Sequence, residues 1–378
     1  MIKVLHFASI INRFDIIDTV LSRFNTNKIN VLTLTAIPSR REEIDSLNNA
    51  YDKVCLNIPF KRANYFYILF CLIKRVWIFR PDIIVSHHYE ESILTYIALL
   101  FTPKTKWIIG RHYNDQIYLL SNGFRLKVHI FLESLCNEKA NKIFVPSVEI
   151  YNLLTIKQRV NKEKVEIIPF VIDTLGGIKV DLVKSEYLRK IYNSQEKFIL
   201  ITCGRLNPEK GLDYFIKALP KITQNNENLI VYIIGDGPLK ENLSTLIKNL
   251  HLENHVKLIG WSNDIYEWMH IADCLVQPSL SESFCQVLIE SYLIKTPVIM
   301  TPVGAAPLII GNDNSRGIII EIANVDSIVR AIQFMINNKS EMPLMGERGY
   351  HFVKAHLNPK KSAEIHEDLY KRVINVAL

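Results

Sequence analysis

Short runs of apolar, mostly β-branched residues alternate with helical patterns along the whole chain. Because the runs are short and almost entirely apolar, we expect parallel strands that helices cover on both faces. The pattern predicts a doubly wound α/β fold, and it occurs twice. The expected strands are Lys3–Phe7, Asn30–Leu34, Ile83–Ser86, Lys106–Ile109, Lys142–Val145 and Val165–Ile168, then Phe198–Cys203, Leu229–Ile234, Val256–Ile259, Cys274–Gln277, Pro297–Met300 and Gly317–Ile320.

The boundary between the two patterns falls within Pro169–Lys197, where Gly176 and Gly177 follow the last strand of the first half. We therefore predict a domain of residues 1–172 and a second domain of residues 173–359. Ser362–Val376 has apolar residues at helical spacing, and we expect residues 360–378 to pack back on the first domain as a closing helix. Ligands of doubly wound sheets bind beyond the carboxyl ends of the strands, so we expect the two domains to face each other across a cleft.

Size and composition indicate a globular enzyme-sized chain of 378 residues, of which 22% are charged. No uncharged apolar run is long enough for a membrane-spanning helix. The apolar start is broken by His6, Asn12 and Arg13, so it is interpreted as a buried strand in a cytoplasmic protein. Six scattered cysteines without a C-x-x-C pair are typical of reduced buried thiols, and no metal site is predicted.

The net charge of +7 is uneven along the chain. Residues 1–190 hold 27 Lys and Arg against 18 Asp and Glu, whereas residues 191–378 hold 18 against 20. The first half is therefore expected to face something anionic, such as membrane phospholipid or a lipid-phosphate carrier. Nucleic acid is the least favoured partner, because no recognition motif of the known modules is present.

A first charged motif, Gly204–Gly211, directly follows the expected strand Phe198–Cys203 and precedes a helical pattern. Arg205 can contact two phosphate oxygens at once, Lys210 adds a second cation, and a helix N-terminus favours anions. The motif lacks the G-K-[ST] ending of a Walker P-loop. The alternative is a solvated basic turn.

A second motif, Ser279–Glu290, follows the expected strand Cys274–Gln277, with a helical pattern from Phe284 onward. Eight residues of continuous helix would separate Glu282 from Glu290 by about 12 Å. Paired glycosidase carboxylates stand about 5–9.5 Å apart, so these two suit opposite ends of a nucleotide sugar better than one scissile bond. The alternative is a helix-start acid and a surface acid.

Together, the spaced G-R-x-x-x-x-K-G and P-S-x-x-E-x7-E motifs resemble those of the retaining glycosyltransferases of family 4, which have the GT-B fold. Pro81–His87, Ala140–Ser147 and Thr296–Ile299 are further matching segments, so the resemblance covers nearly the whole chain. It implies sugar transfer from a UDP- or GDP-sugar, with no metal or other cofactor, to a saccharide or lipid-linked acceptor in polysaccharide biosynthesis of the cell envelope. The first domain is then the acceptor-binding domain and the second the donor-binding domain. Peripheral attachment at the inner membrane face, through an anionic surface, is a further expectation.

The resemblance also implies roles for individual residues. Arg205 and Lys210 neutralise the departing diphosphate, Glu282 contacts the sugar and Glu290 holds the ribose. His112 faces the reacting sugar from the first domain. The expected catalytic residues are thus His112, Arg205, Lys210 and Glu282, and the expected donor-binding residues are Gly204, Arg205, Lys210, Gly235, Trp261, Glu282, Ser283, Phe284 and Glu290.

Four points stay open from the sequence. The glycine-rich loop that the family has after its first strand is replaced by Ala8–Arg13, so the acceptor side is not described by a motif. His87 and His88 are expected to have a structural or acceptor-shaping role. The aromatic, basic segment Lys61–Trp77 is interpreted mainly as a helix packed on the first sheet, with a membrane-interface helix as the alternative. The function itself has two rivals, a nucleotide-sugar epimerase and a non-catalytic partner subunit.

Overall fold

The structure, a computed structural model, describes residues 1–10, 19–37, 51–112, 123–172, 178–192, 194 and 196–375. The chain divides into two compact units, Met1–Asp173 with Leu357–Leu378, and Thr174–His356. Each unit is a parallel sheet covered by helices, as the alternating pattern predicts.

The first unit contains a seven-stranded sheet in the order β3-β2-β1-β4-β5-β6-β7, with every strand pair parallel. The strands are β1 (Ile2–Ile10), β2 (Ile29–Ile37), β3 (Asp52–Cys55), β4 (Ile83–His87), β5 (Lys106–Gly110), β6 (Lys142–Val145) and β7 (Val165–Ile167). The helices are α1 (Tyr65–Phe79), α2 (Tyr89–Leu99), α3 (Phe124–Lys139) and α4 (Val148–Asn152), which a π-helical turn over Leu153–Lys157 extends. The sheet reverses its strand order between β1 and β4, so a ligand site is expected beyond the ends of these two strands.

The second unit contains a six-stranded parallel sheet in the order β10-β9-β8-β11-β12-β13. Its strands are β8 (Phe198–Cys203), β9 (Leu229–Ile234), β10 (Val256–Gly260), β11 (Cys274–Gln277), β12 (Val298–Met300) and β13 (Gly317–Ile319). Its helices are α5 (Leu182–Ile191), α6 (Leu212–Thr223), α7 (Lys240–Asn249), α8 (Ile265–Ile271), α9 (Gln286–Leu293), α10 (Ala306–Ile310), α11 (Val325–Asn337) and α12 (Met342–His356). Here the order reverses between β8 and β11, which are the two strands that precede the charged motifs.

The helix α13 (Pro359–Asn375) belongs to the first unit although it follows the whole of the second in sequence. Leu369 and Tyr370 are fully buried, and the Glu367 carboxylate accepts a hydrogen bond of 2.7 Å from the backbone of Asn25. Arg372 donates two hydrogen bonds of 2.8 and 2.7 Å to the carboxylate of Glu166. The paired, charge-assisted geometry makes this contact stronger than a single surface ion pair. Side-chain packing, supplemented by these polar contacts, therefore holds α13 on the first sheet.

Candidate active site

The turn after β8 is held against the turn after β9 by two glycines. Gly204 has φ +145°, and its N–H donates to the Ile234 carbonyl at 3.0 Å. Gly235 has φ +140°, and a Cβ on it would lie 1.8 Å from the Gly204 carbonyl oxygen. Only glycine avoids both the clash and the backbone strain at position 235. Gly204 and Gly235 thus shape the backbone that carries Arg205.

Lys210 and Glu282 meet at the ends of β8 and β11. The Lys210 Nζ lies 2.6 Å from Glu282 Oε1, and both side chains are largely shielded from solvent. Burial works against the Lys210 charge, but the neighbouring Glu282 carboxylate, together with Cys285 and Glu209, raises the pKa of Lys210 overall. Lys210 is therefore a fixed cation at neutral pH, held by one carboxylate oxygen.

A chain of hydrogen-bonded polar side chains orients the Glu282 carboxylate. The Ser279 hydroxyl donates to Glu282 Oε1 at 2.7 Å and accepts a hydrogen bond of 3.2 Å from Gln277 Nε2. The Gln277 Oε1 in turn accepts from the Thr202 hydroxyl at 3.2 Å. Both hydrogen bonds of Glu282 to described residues use Oε1, so among these residues its Oε2 makes none. That oxygen is positioned to accept from a ligand hydroxyl.

Arg205 is exposed, and within the described ranges its guanidinium has no hydrogen-bond or ion-pair partner. It lies beside Gly204, Lys210 and Gln277, near the ends of β8 and β11. This end of the sheet therefore presents two cations, one held by a carboxylate and one free to bind. Such an arrangement suits a diphosphate, which offers several oxygens to a forked guanidinium and an ammonium.

Glu290 lies in the second turn of α9, where it is half-buried. Burial raises the pKa of its carboxyl to about 6, against which the hydrogen bond of 3.2 Å from Gln286 Nε2 acts only weakly. Among the described residues no cation pairs with Glu290. A buried carboxylate with spare acceptor capacity is suited to neighbouring hydroxyl donors, such as those of a ribose.

The expectation of a continuous helix from Glu282 to Glu290 is wrong. Cys285 has φ +73° and α9 begins only at Gln286, so the segment from Ser279 to Cys285 is irregular. The separation of about 12 Å, which assumed helical rise throughout, therefore does not apply. Glu282 is placed by its hydrogen bonds to Lys210 and Ser279 rather than by a helix start.

The remaining residues that were expected to bind the sugar donor differ in the solvent exposure of their side chains. Trp261 follows β10 and is 78% exposed, with its indole N–H 3.3 Å from Asn263 Oδ1. Ser283 is half-buried. The Phe284 side chain is only 2% exposed and packs in the interior, while its carbonyl accepts from the Ala305 N–H at 3.0 Å. The Phe284 ring therefore offers almost no surface to a donor, which leaves its backbone as the binding element.

His112 lies in the first unit, just beyond β5. Its Nε2 is 2.6 Å from Nδ1 of His87, which ends β4, so these two imidazoles meet beyond the ends of β4 and β5, next to the point where the first sheet reverses its order. The polar residues Thr202, Gln277 and Ser279 were assigned no role from the sequence. Each of them is a polar residue inside or directly after an otherwise apolar, buried strand. A single sequence does not distinguish such a residue from an ordinary strand end.

Two family profiles match the chain. "Glycosyl transferases group 1" matches residues 184–352, and "Glycosyltransferase Family 4" matches residues 20–174. Together they cover most of the chain, one in each unit.

Curated relatives and solved structures agree with these profiles. An uncharacterised glycosyltransferase of Methanocaldococcus jannaschii is 28% identical over 71% of this chain and 68% of its own length. The N-acetylgalactosamine-N,N'-diacetylbacillosaminyl-diphospho-undecaprenol 4-alpha-N-acetylgalactosaminyltransferase of Campylobacter jejuni is 29% identical over 66% of this chain and 65% of its own length. The crystal structure of Anabaena HepE with UDP-glucose aligns with a TM-score of 0.81 at 16% identity, covering 98% of this chain and all of the other. The last likeness shows a shared fold.

Proposed function

The chain belongs to glycosyltransferase family 4 and has the GT-B fold, and on that premise we propose that it transfers a hexose-type sugar from a UDP- or GDP-sugar, with retention of the anomeric configuration. The acceptor is a saccharide or a lipid-linked saccharide of cell-envelope polysaccharide biosynthesis. The observation that carries the donor half is the position of the exposed Arg205 beside the Lys210–Glu282 pair, near the ends of β8 and β11. Names of relatives support the acceptor class, since the Campylobacter enzyme acts on a diphospho-undecaprenol-linked sugar.

In the proposed reaction the bond between the anomeric carbon and the diphosphate oxygen breaks, giving a sugar with oxocarbenium character and a free nucleoside diphosphate. Arg205 and Lys210 stabilise the negative charge that develops on the departing diphosphate. These two cations do the electrostatic work that a divalent metal does in other transferases, so the proposed reaction is metal-independent. The acceptor oxygen forms its bond to the anomeric carbon on the face from which the diphosphate leaves, which retains the configuration, and the acceptor's proton passes to the departing diphosphate.

Glu282 has two roles in this proposal, one for each carboxylate oxygen. Oε1 fixes the Lys210 ammonium and Ser279, and Oε2 accepts hydrogen bonds from the hydroxyls of the donor sugar. Glu290 binds the ribose, Trp261 borders the base, and the backbone around Ser283 and Phe284 completes the donor site. His112 contributes its imidazole from the first unit.

A thermal-shift screen tests the donor assignment. We expect UDP- or GDP-hexoses of one base to raise the melting temperature by mass action, because only the folded protein binds them. Arg205→Ala should abolish the rise, whereas Arg330→Ala, which removes an exposed arginine of the second unit, should keep it. No rise with any nucleotide sugar would overturn the proposal. Turnover of the donor to an epimeric sugar without acceptor would establish the epimerase instead.

The helix α1 suggests where a membrane would bind. Among the described residues no helix is long and apolar enough to cross a bilayer. Ile68, Leu72 and Val76 pack on the sheet, as the interpretation of a packed helix predicts. That interpretation is wrong for the aromatic residues, since Phe66 is 87%, Phe70 62% and Trp77 61% exposed. Exposed aromatic side chains beside basic ones are typical of helices that lie in a membrane interface.

Peripheral attachment to an anionic bilayer is therefore the proposed way in which the protein reaches a lipid-linked acceptor. The excess of Lys and Arg in residues 1–190 favours an anionic surface over a neutral one. Sedimentation with phosphatidylglycerol vesicles should exceed that with phosphatidylcholine vesicles. Phe66→Ser with Phe70→Ser should weaken it about tenfold or more, since each ring contributes about 1.5–3 kcal/mol when buried.

The matched control is Phe334→Ser, which removes a phenylalanine of the second unit that is 44% exposed. This control should bind vesicles like the wild type. Equal binding of all three proteins to the anionic vesicles would exclude α1 as the membrane-binding surface.

A further inference from the structure

Four side chains of the first unit form a continuous hydrogen-bonded row that ends at His112. The Tyr370 hydroxyl lies 3.2 Å from His6 Nε2, His6 Nδ1 lies 3.0 Å from His87 Nε2, and His87 Nδ1 lies 2.6 Å from His112 Nε2. The residues come from α13, β1, β4 and the end of β5, so the row crosses the point of strand-order reversal. Its first three members are at most 2% exposed.

The ring geometry shows that the row is a built feature rather than a loose cluster. His6 and His87 are stacked at 18° between ring planes, and His87 and His112 at 16°. Ring nitrogens point at one another in sequence instead of converging on a common point. Among the described residues no group of three His, Cys, Asp or Glu side chains is arranged to hold a metal.

Gly110 provides independent evidence that the last contact is accommodated by the backbone. A Cβ at this position would lie 2.8 Å from His112 Nε2 and 2.9 Å from His87 Nδ1, the two atoms that form the shortest bond of the row. Gly110 does not have a positive φ, so the backbone conformation does not demand glycine. Glycine at the end of β5 leaves the space in which the two imidazoles meet.

The row has a preferred direction because a neutral imidazole has one N–H and one lone pair. His6 and His87 use both nitrogens, so all three hydrogen bonds must run the same way. Among the described residues, His6 is the only hydrogen-bond partner of the Tyr370 hydroxyl. If the hydrogen bonds run from Tyr370 towards His112, the Tyr370 hydroxyl donates its hydrogen to His6. If they run the other way, the buried Tyr370 O–H has no acceptor, which is unfavourable. Tyr370 therefore donates to His6, His6 to His87, and His87 to His112.

We propose that Tyr370, His6 and His87 are positioning residues that fix the tautomer of His112, with Nε2 accepting from His87 and the proton on Nδ1. This inference rests on the proposed function only in so far as His112 takes part in sugar transfer. The tautomer itself is a property of the first unit and is measurable without activity.

The surroundings keep the row neutral. Burial, and secondarily the neighbouring His366, lowers the pKa of His6 to about 3, and burial together with the other imidazoles lowers that of His87. Burial also lowers the pKa of His366, to about 4, and its Nδ1 donates to the Ser362 carbonyl at 2.9 Å. His88 faces His112 edge-on, with 5.4 Å between ring centroids. Among the described residues, no carboxylate contributes to the pKa of His6 or His87. A positive charge on either ring would therefore face only other imidazoles.

Protonation of His112 at Nε2 would reverse all three hydrogen bonds, since Nε2 would then have to donate. The reversal would leave the Tyr370 hydrogen without an acceptor. Tyr370→Phe leaves His6 Nε2 without its hydroxyl partner in both directions, as a lone pair in one and as an N–H in the other, so the forward direction loses the advantage that the Tyr370 donor gives it. His112 of this variant should therefore take up its second proton at a higher pH than in the wild type.

Long-range ¹H–¹⁵N correlation spectra of the full-length, histidine-labelled protein test the proposal. His112 resonances are assigned by their loss in His112→Asn. At pH 7.5 we expect the Nδ1–H form of wild-type His112 to outnumber the Nε2–H form by about tenfold or more, because the opposite direction strands a buried donor. In Tyr370→Phe the Nε2–H form should appear. Tyr292→Phe, which removes another buried tyrosine hydroxyl bonded at 2.7 Å, should leave His112 unchanged.

The wild-type spectrum is decisive even where Tyr370→Phe does not fold. A dominant Nε2–H form or a cationic His112 in the wild type at pH 7.5 would overturn the proposal, as would identical His112 spectra in the wild type and Tyr370→Phe. The expected tautomer in a protein that transfers no sugar would leave the row established and refute the proposed function. Where transfer is active, Tyr370→Phe should lower kcat and shift the pH profile without changing KM for the donor.

Discussion

Lys210→Met should lower kcat/KM for the nucleotide sugar by about 10²–10³-fold, since this is the usual cost of removing one group that stabilises charge developing in a transition state. Lys210 is a fixed cation, because Glu282 holds its Nζ at 2.6 Å and the neighbouring acidic groups together raise its pKa despite burial. Methionine keeps the length of the side chain and removes the charge. Steady-state kinetics with the donor identified by thermal shift provide the measurement.

Loss of Lys210 also leaves the Glu282 carboxylate without its cation, so the experiment needs a control for stability. The double variant Lys210→Met with Glu282→Gln removes both charges, and its melting temperature should recover towards the wild type while activity stays low. Lys217→Met removes an exposed lysine paired with Asp213 and should change neither property. Less than a tenfold loss in Lys210→Met would contradict its role at the diphosphate.

Glu290→Gln should change stability and ligand binding in opposite directions. Burial raises the pKa of Glu290 to about 6 from an ordinary value of 4.5. A raised folded-state pKa contributes stability that is fully present below pH 4.5 and is lost as the pH rises through 6. The charged carboxylate therefore destabilises the free protein at pH 7 by about 1–2 kcal/mol, and glutamine removes that cost. Chemical denaturation at pH 7 and at pH 4.5 should show the gain only at the higher pH.

The same variant should bind the nucleoside diphosphate about 10- to 100-fold more weakly, because hydrogen bonds to a charged acceptor contribute about 1.5–3 kcal/mol. Wild-type affinity should fall below about pH 6 as Glu290 takes up its proton, and the variant should lack this dependence. Isothermal titration measures both. Glu227→Gln, a change at an exposed carboxylate of the second unit, is the control. Unchanged affinity in Glu290→Gln would exclude Glu290 from the ribose site.

Most of the fold follows from the apolar pattern, since parallel strands covered on both faces appear as uninterrupted runs. The strands Phe198–Cys203, Leu229–Ile234 and Cys274–Gln277 have the predicted bounds. The strand β3 (Asp52–Cys55) was missed because it lies at the sheet edge, where it pairs only with β2 and is partly exposed. An edge strand needs no apolar run, so its sequence contains little signal. That the two units face each other across a cleft stays a prediction.

The candidate site was predictable in its charges but not in its contacts. Position after a strand end indicates Arg205, Lys210 and Glu282, but the Lys210–Glu282 pair joins residues 72 positions apart and depends on the adjacency of β8 and β11. The irregular segment before α9 was missed because Cys285 adopts a positive φ, which is uncommon for a residue with a side chain. The histidine row was missed because its first member, Tyr370, lies in the closing helix, which the spacing places on the sheet only in general terms.

The return of α13 to the first sheet has a consequence for the order in which the protein matures during translation. The first unit lacks Tyr370 and the hydrogen bonds made by Glu367 and Arg372 until residues 357–375 have been synthesised. By then the ribosome has already delivered all of Thr174–His356, so the second unit can complete its fold first. The first unit therefore completes its fold after the second. A gene cut at residue 173 would encode a first half without the helix α13 that packs on its sheet.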